Sequence, residues 1–146
     1  MRKTNYEFYW DEGIGFAKCT LKTQYGEFTG IAQCHPDDED MMSEKVGCEI
    51  AYTRATINSL IHARDNIIKP SLKALKQLYY SMNRSKYFNS KSYETKILWS
   101  QIRNWQIDLD TVNAILTKER QALKEYIEIK DNLYQNIRKQ RVNGQK

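Results

Sequence analysis

Four residues in the N-terminal third of the chain could bind a metal ion. They are three cysteines and one histidine, namely Cys19, Cys34, His35 and Cys48. Thiolates and an imidazole together form a common tetrahedral zinc set. However, the paired Cys-x-x-Cys spacing of zinc sites is missing, and free cysteines often fill small apolar positions in a core. We therefore expect no metal or other cofactor, and reduced thiols, because the N-terminal residues show no secretory signal.

An acidic run follows the histidine and suggests a second kind of chemistry. It consists of Asp37, Asp38, Glu39 and Asp40. Carboxylates beside His35 could hold a divalent ion and activate water. Consecutive acids after Pro36 are, however, equally typical of a turn that leads into a helix. We expect that the protein is not an enzyme, and the acidic turn could instead imitate phosphates on a partner that normally holds nucleic acid.

The stretch from Tyr79 to Lys96 alternates cations with aromatic rings. The candidate partner-binding residues are Tyr79, Tyr80, Arg84, Lys86, Tyr87, Phe88 and Lys91. Upstream, Lys69, Lys73 and Lys76 follow steps of four and three, so they share one face of a helix. Cations on a rigid face bind phosphates, and rings stack on bases or anchor protein interfaces. An ordinary solvated face would use the same residues, so DNA, RNA and protein partners all stay open.

Charge is divided unevenly along the chain. The first 50 residues contain five Lys and Arg against ten Asp and Glu, and the other residues contain 18 against eight. The net charges are therefore −5 and +10, which sum to the whole-chain value of +5. Such a field steers association with charged partners.

The sequence pattern that surrounds these residues predicts an α+β, mostly α-helical fold that forms one domain over residues 1–146. We expect an extended segment at 1–12, a β-hairpin at 13–35, a long helix at 43–83, a connector at 84–91 and a second long helix at 92–140. No apolar run reaches the ~18 residues that a membrane-spanning helix needs. We therefore expect no membrane partner and a cytoplasmic location.

The hairpin pattern predicts both a register and a buried face. A turn at Tyr25-Gly26 would pair Ala17 with Cys34, Cys19 with Ala32, Leu21 with Gly30, and Thr23 with Phe28. This register collects small and apolar side chains on one face. A lone hairpin needs a covering element. Gly47, Ala51 and Ala55 form a small-residue strip that would let a helix, capped by Ser43, lie close to that face.

The apolar stripes of the two helices predict an arm. The first stripe keeps its phase across Pro70, which favours one helix kinked at Pro70 over two separate helices. We expect the two helices to pack antiparallel as a coiled-coil-like arm, with the hairpin at its base and the connector at its tip. Two helices bury apolar side chains only along the line where they touch each other, so a homodimer remains one of the open alternatives.

One short region resembles a known group of proteins. The residues are Thr29-Gly-Ile-Ala-Gln-Cys-His-Pro-Asp-Asp38, then Ser43-Glu44, Gly47, Ile50-Ala51 and Arg54-Ala55. Together, over about residues 28–56, they resemble small uncharacterised accessory proteins of phages and prophages of Gram-positive bacteria. The resemblance carries no catalytic residues. It implies an accessory role, often against host defence or host machinery.

The expected function is therefore that of a non-enzymatic phage protein. It would bind and inhibit a bacterial host protein or nucleoprotein complex, for example as an anti-defence, anti-CRISPR-like inhibitor. Two alternatives remain, which are a direct nucleic-acid binder using the basic helical arm and a small zinc-binding structural protein.

Overall fold

The computed structural model describes residues 5–33, 43–84 and 93–144. Three strands come first: β1 (Asn5–Asp11), β2 (Phe16–Thr23) and β3 (Gly26–Gln33). Helix α1 (Glu44–Ala63), a π-helical turn (Arg64–Ile68), α2 (Lys69–Asn83) and α3 (Tyr93–Gly144) follow. The α+β, mostly helical class is therefore confirmed. None of the helices in these ranges is both long and apolar enough to cross a bilayer.

The chain divides into two compact units. The first unit contains residues 1–59 and 118–146, and the second contains residues 60–117. Each unit has its own cluster of buried apolar side chains.

The sheet of the first unit is antiparallel with the order β1-β2-β3. The predicted extended segment thus contributes a third strand, in which Tyr6, Phe8 and Trp10 pair with Leu21, Cys19 and Ala17. Because Cys19 and its neighbours on alternate positions are buried, the three β1 aromatics lie on the same face as the core.

The predicted β2–β3 register is wrong by two residues. Ala17 pairs with Ala32, Cys19 with Gly30, Leu21 with Phe28, and Thr23 with Gly26. The loop is therefore Gln24-Tyr25 rather than Tyr25-Gly26. The Thr23 hydroxyl oxygen accepts a hydrogen bond from the Tyr25 N–H at 3.1 Å and donates to the Gly26 carbonyl at 3.2 Å. Gly26 follows this loop with φ +130°, a conformation that favours glycine.

Helix α1 lies against the small face of the sheet, as the small-residue strip predicts. Ala51 and Ala55 are fully buried in the cluster that contains Ala17, Cys19 and Ala32. At Gly30, an added Cβ would collide with the Ala51 carbonyl oxygen and the Ala55 nitrogen. Only a residue without a side chain allows the helix backbone to come this close.

The start of α1 also agrees with the sequence pattern. The Ser43 hydroxyl oxygen accepts a hydrogen bond from the Val46 N–H at 3.1 Å, and the Ser43 carbonyl accepts one from Gly47. Ser43 is thus the N-cap, followed by Glu44 in the first turn.

Residues 44–83 are helical without a break, and a π turn precedes Pro70. The Lys69 N–H donates to the Arg64 carbonyl, a hydrogen bond across five residues. Proline has no N–H, and its ring crowds the carbonyl four residues earlier, which here belongs to Asn66 inside the π turn. The wider turn lies at the residues where Pro70 would disturb an α-helix, whereas a kink at Pro70 stays a prediction.

The core of the second unit lies between α2 and the first half of α3. Leu72, Leu98 and Ile102 are buried together. The partly buried side chains packed around them are Leu75, Tyr79, Met82, Trp105 and Leu109. All eight belong to the apolar stripes that predicted the two helices.

Candidate functional site

The cysteines that the structure describes lie in the core of the first unit. Cys19 is fully buried and Cys48 is half-buried, and both thiols are free. Burial raises the pKa of both thiols. The neighbouring Cys48 raises the pKa of Cys19 further, and the neighbouring Glu44 raises the pKa of Cys48 further. A raised pKa keeps a thiol protonated when no metal is bound, and a protonated thiol is a poor nucleophile.

The other candidate metal ligands belong to residues 34–40. Cys34 and His35 lie outside the described residues, as does the acidic turn Asp37, Asp38, Glu39 and Asp40. Within the described ranges, no group of three or more His, Cys, Asp or Glu side chains is arranged to hold a metal ion. A contact role for the acidic turn stays a prediction.

The predicted tip residues are only partly described. Tyr79 and Tyr80 lie near the end of α2, and Arg84 follows its last residue, whereas Lys86, Tyr87, Phe88 and Lys91 lie outside the described residues. The Tyr79 ring contacts Trp99 of α3, with ring centroids 5.6 Å apart. Tyr80 lies next to Tyr79 at 6.2 Å and is 57% exposed.

The basic face predicted on α2 extends further than Lys69, Lys73 and Lys76. Continuing in steps of four, it reaches Tyr80 and Arg84, and at 100° per residue all five positions fall within an arc of about 80°. Lys69 and Lys73 are exposed, and Lys76 is half-buried. The α2 face therefore carries four cations and one exposed ring.

One carboxylate lies at the start of this face. Asp65 accepts hydrogen bonds from Arg64 at 2.8 and 3.3 Å, and the Lys69 ammonium is 3.6 Å away. The Arg64 hydrogen bond is the largest cause that lowers the pKa of Asp65, with smaller contributions from the charges of Arg64 and Lys69. Lys69 is therefore partly neutralised, and the cations further along α2 are the stronger candidates for an anionic partner.

A second basic face lies on α3, and sequence reasoning missed it as a unit. Lys96, Trp99 and Arg103 follow steps of three and four, and all three are exposed. The signal was present in this spacing, because it places a tryptophan between two cations. The Tyr79–Trp99 contact joins this face to the α2 face. We call the combined set the basic-aromatic surface, which consists of Lys69, Lys73, Lys76, Tyr80, Arg84, Lys96, Trp99 and Arg103.

The net charge of the protein belongs to the unit that carries this surface. Residues 60–117 contain nine Lys and Arg against four Asp and Glu, whereas residues 1–59 with 118–146 contain fourteen of each. The second unit therefore carries +5 and the first unit carries none. A field of this sign favours anionic partners at the basic-aromatic surface.

The first unit has a different surface feature, an open groove of about 300 Å³. Its lining consists of Glu49, Tyr52, Thr53, Glu119, Ala122, Leu123 and Tyr126. The Tyr126 hydroxyl donates a 2.7 Å hydrogen bond to Glu49 Oε2. Burial, followed by this bond to a carboxylate, raises the pKa of Tyr126 to about 12. We call this feature the aromatic-acidic groove.

Two aromatic side chains of β1, Tyr6 and Phe8, contact Tyr52, which lines the groove. The Tyr52 ring lies 5.4 Å from the Tyr6 ring and 6.4 Å from the Phe8 ring, and Tyr6 and Phe8 contact each other at 5.3 Å. The three rings remain 40–54% exposed. Sequence reasoning noticed the alternation in β1 but did not place it beside α1, because this contact joins residues more than 40 positions apart.

Comparisons of the chain with protein-family models, curated proteins and solved structures found no match. The assignment of function therefore depends on the geometry and charge of the two surfaces described above.

Proposed function

We propose that the protein is a non-enzymatic interaction protein that binds a bacterial host protein or nucleoprotein complex and inhibits it. The role would be that of a phage-encoded anti-defence, anti-CRISPR-like inhibitor, and no cofactor takes part. The observation that carries the proposal is the basic-aromatic surface, on which two exposed rings lie among cations of a unit with net charge +5.

Exposed aromatic rings on helices are well suited to anchor a protein partner. Tyr80 is 57% exposed and Trp99 is 49% exposed, so both have much apolar area left to bury. Tyrosine, tryptophan and arginine are enriched at the energetic centres of interfaces. Because Tyr79 packs against Trp99 and both helices are regular here, little conformational freedom would be lost on binding.

The cations define the chemistry of the partner. They would pair with carboxylates of a protein or with phosphates of a nucleoprotein complex, and they would steer the encounter at low salt. Inhibition follows if the bound surface of the host complex is one that it needs for its own anionic substrate.

The antiparallel arm is a further part of the proposal. In the second unit, the Leu72–Leu98–Ile102 cluster and the Tyr79–Trp99 contact support antiparallel packing of the end of α2 beside the start of α3. Residues 84–91 would then connect the helices at the tip, and Lys86, Tyr87, Phe88 and Lys91 would extend the basic-aromatic surface. A kink at Pro70 would set the direction of the arm.

A capture experiment tests this function. The tagged protein is incubated with lysates of several bacterial hosts, and the bound proteins are identified and quantified by mass spectrometry. We expect one stoichiometric partner with the wild type and its loss with the double variant Tyr80→Ala/Trp99→Ala. The matched control is Tyr25→Ala/Ile129→Ala, which removes two exposed side chains of the first unit that do not belong to the basic-aromatic surface.

Two outcomes would contradict the proposal. One is the absence of a stoichiometric partner in every host, and the other is equal capture by both double variants. Where a partner is found, adding an equimolar amount of the protein should lower the activity of the isolated complex.

Direct nucleic-acid binding is the second candidate function. It is favoured by the regular spacing of Lys69, Lys73 and Lys76 on α2, which could follow a phosphate backbone, with Tyr80 and Trp99 available to stack on bases. Fluorescence anisotropy with labelled DNA and RNA over a salt series is the test. An affinity that falls steeply with salt would support this candidate, and no binding at moderate salt would exclude it.

A further inference from the structure

The two edges of the sheet are treated differently by the rest of the first unit. At the β3 edge, Asn58 Nδ2 donates to the Thr29 carbonyl at 2.8 Å, and Arg54 Nη1 donates to the Ile31 carbonyl at 2.7 Å. Side chains of α1 therefore bind two backbone carbonyls of β3 that a further strand would need for pairing. Strand β1 is the other edge, and its one strand neighbour in the described part of the chain is β2.

The register shows which backbone groups of β1 point away from the sheet. In antiparallel pairs, the N–H and C=O of one residue point to the same side, and the side alternates along the strand. Because the Thr29 and Ile31 carbonyls point outward, the backbone N–H and C=O of Gly30, which lies between them, point towards those of its pair Cys19 on β2. Continuing the alternation through β2, the outward groups of β1 belong to Tyr6, Phe8 and Trp10.

The side chains along this edge are aromatic on both faces. Tyr6 and Phe8 lie with Tyr52 on the α1 face. On the opposite face Tyr9 contacts Phe16 at 6.2 Å and is 56% exposed. Natural edge strands usually carry a lysine, a proline or a covering element that prevents pairing. Residues 5–12, which form β1 and begin the turn after it, contain no lysine, arginine or proline.

The charged side chains of β1 and of the turn after it are acidic, namely Glu7, Asp11 and Glu12. The neighbouring β2 carries Lys18 and Lys22, of which Lys22 makes an ion pair with Glu7 at 3.4 Å. Tyr52 connects the edge to the aromatic-acidic groove, where Glu49 and Glu119 add two carboxylates. A second copy that pairs through its own β1 would bring Glu7 and Asp11 again, and residues 5–11 contain no lysine or arginine to match them. A cationic partner would complement both the carboxylates and the ring faces.

We infer that the outer edge of β1 binds an extended, arginine-rich segment of a partner protein by adding it to the sheet as a fourth strand. The Tyr6, Phe8 and Trp10 backbones supply the main-chain hydrogen bonds, and alternate arginines lie against Tyr6 and Tyr52 beside Glu49 and Glu119. This site is separate from the basic-aromatic surface and does not depend on the function proposed for that surface.

The test uses the full chain and a synthetic seven-residue peptide that alternates valine and arginine. Binding is measured by calorimetry, and the contacted amides are located by NMR on isotope-labelled protein. Two variants are compared with the wild type, Phe8→Ala and Phe8→Pro. Both remove the ring, but only proline removes the outward N–H, at a position where an edge strand tolerates it.

We expect the peptide to bind the wild type and to perturb the amides of Tyr6, Phe8 and Trp10. Phe8→Pro should bind about tenfold more weakly than Phe8→Ala, the effect of one main-chain hydrogen bond in a well-formed interface. A peptide with glutamate in place of arginine should not bind. If Phe8→Pro fails to fold, a peptide methylated on alternate amide nitrogens gives the same comparison with wild-type protein, and it should bind as weakly.

Three results would overturn the inference. The first is that the arginine peptide does not bind up to millimolar concentration. The second is that Phe8→Ala and Phe8→Pro bind the peptide equally and that the wild type binds the methylated and unmethylated peptides equally. The third is that the wild type self-associates and that Phe8→Pro abolishes this self-association. The last result would assign the edge to a second copy of this chain.

Discussion

At the scale of single residues, Gly30 is the position where the backbones of sheet and helix come closest. A methyl group there would collide with the backbone of Ala51 and Ala55 and would lie 2.9 Å from Arg54 Cβ. We expect Gly30→Ala to lower the free energy of unfolding by at least about 1–3 kcal/mol, because backbone atoms of α1 must move to make room. Urea denaturation followed by circular dichroism measures the change.

Glu27→Ala is the matched control, since Glu27 is an exposed residue of the same strand. It should change stability by less than about 0.5 kcal/mol. A Gly30→Ala variant as stable as this control would show that α1 does not approach β3 as closely as the structure indicates.

Tyr126 gives the first unit a dependence on alkaline pH. In the unfolded chain a tyrosine loses its proton at about pH 10, whereas in the folded protein Tyr126 holds it to about pH 12. The unfolded state therefore binds fewer protons between these values, so the contribution of Tyr126 is complete below pH 10 and is lost as the pH rises towards 12. The physical cause is burial together with the Glu49 hydrogen bond.

We expect Tyr126→Phe to lower stability by about 1 kcal/mol at pH 7, the typical net value of one hydrogen bond. The difference between wild type and variant should shrink as the pH rises above 10. Urea midpoints of both proteins at pH 7, 10 and 11 provide the measurement. A difference that stays constant with pH would mean that the phenol is not held in its neutral form.

These two residues differ in how far the sequence could predict them. Gly30 and the strip Gly47, Ala51 and Ala55 were predicted to meet, because small residues on facing positions are visible in each element separately. The Tyr126–Glu49 hydrogen bond joins residues 77 positions apart. Neither residue carries a local signal for it, so only the packing of α3 against α1 could reveal the pair.

At the scale of elements, α1 protects one edge of the sheet with two side chains. Arg54 and Asn58 donate to the outward carbonyls of Ile31 and Thr29. We expect Arg54→Ala/Asn58→Ala to cost about 2 kcal/mol, because two hydrogen bonds at the edge are lost, and to increase self-association through the exposed β3 edge. Urea denaturation and analytical ultracentrifugation measure the two effects.

Two other variants make the comparison specific. Lys45→Ala removes an exposed cation of the same helix and should leave both measurements unchanged. Arg54→Lys keeps the charge but not the planar donor group, so it should lie between the wild type and the double variant. The edge-protection role would be refuted by a double variant that behaves like Lys45→Ala.

The sheet shows which part of an element a sequence pattern can determine. The alternation of side chains predicted the buried face of β2 and β3 correctly, because a shift of two residues returns every side chain to the same face. For the same reason, the pattern could not distinguish registers that differ by two. The observed register is instead favoured by the turn, through the Thr23 hydroxyl hydrogen bonds and the conformation of Gly26.

The helices show the same limit. The apolar stripes predicted the residues that form the second core, and the unbroken phase across Pro70 agrees with continuous helix from Glu44 to Asn83. The π turn before Pro70 was not predicted, because a single widened turn leaves the stripe almost unchanged.

At the scale of the whole molecule, the division of charge differs from the one that the linear sequence suggested. Splitting the chain at residue 50 gives an acidic and a basic segment, whereas the two compact units are neutral and +5. The reason is that the C-terminal part of α3, residues 118–146, has eight cations against four acids and belongs to the same unit as the acidic N-terminal residues. A sequence read in order cannot show which distant segments share a unit.

This division allows net charge to be separated from the position of charge. Replacing Lys69, Lys73, Lys76 and Arg103 by alanine lowers the net charge of the protein from +5 to +1 within the second unit. Replacing the exposed Lys18, Lys45, Lys118 and Lys124 produces the same net charge within the first unit. Both quadruple variants are compared in DNA and RNA binding over a salt series and in capture of the host partner.

If nucleic acid is the ligand, the second-unit variant should lose binding, and the slope of log affinity against log salt should fall by about 3, because each phosphate contact contributes about 0.7–0.9. The first-unit variant should keep the slope of the wild type. If an acidic protein surface is the ligand, the same contrast should appear in the capture experiment, with little nucleic-acid binding by any form. Equal losses in the two variants would show that only the net charge matters, and the basic-aromatic surface would then not be a binding site.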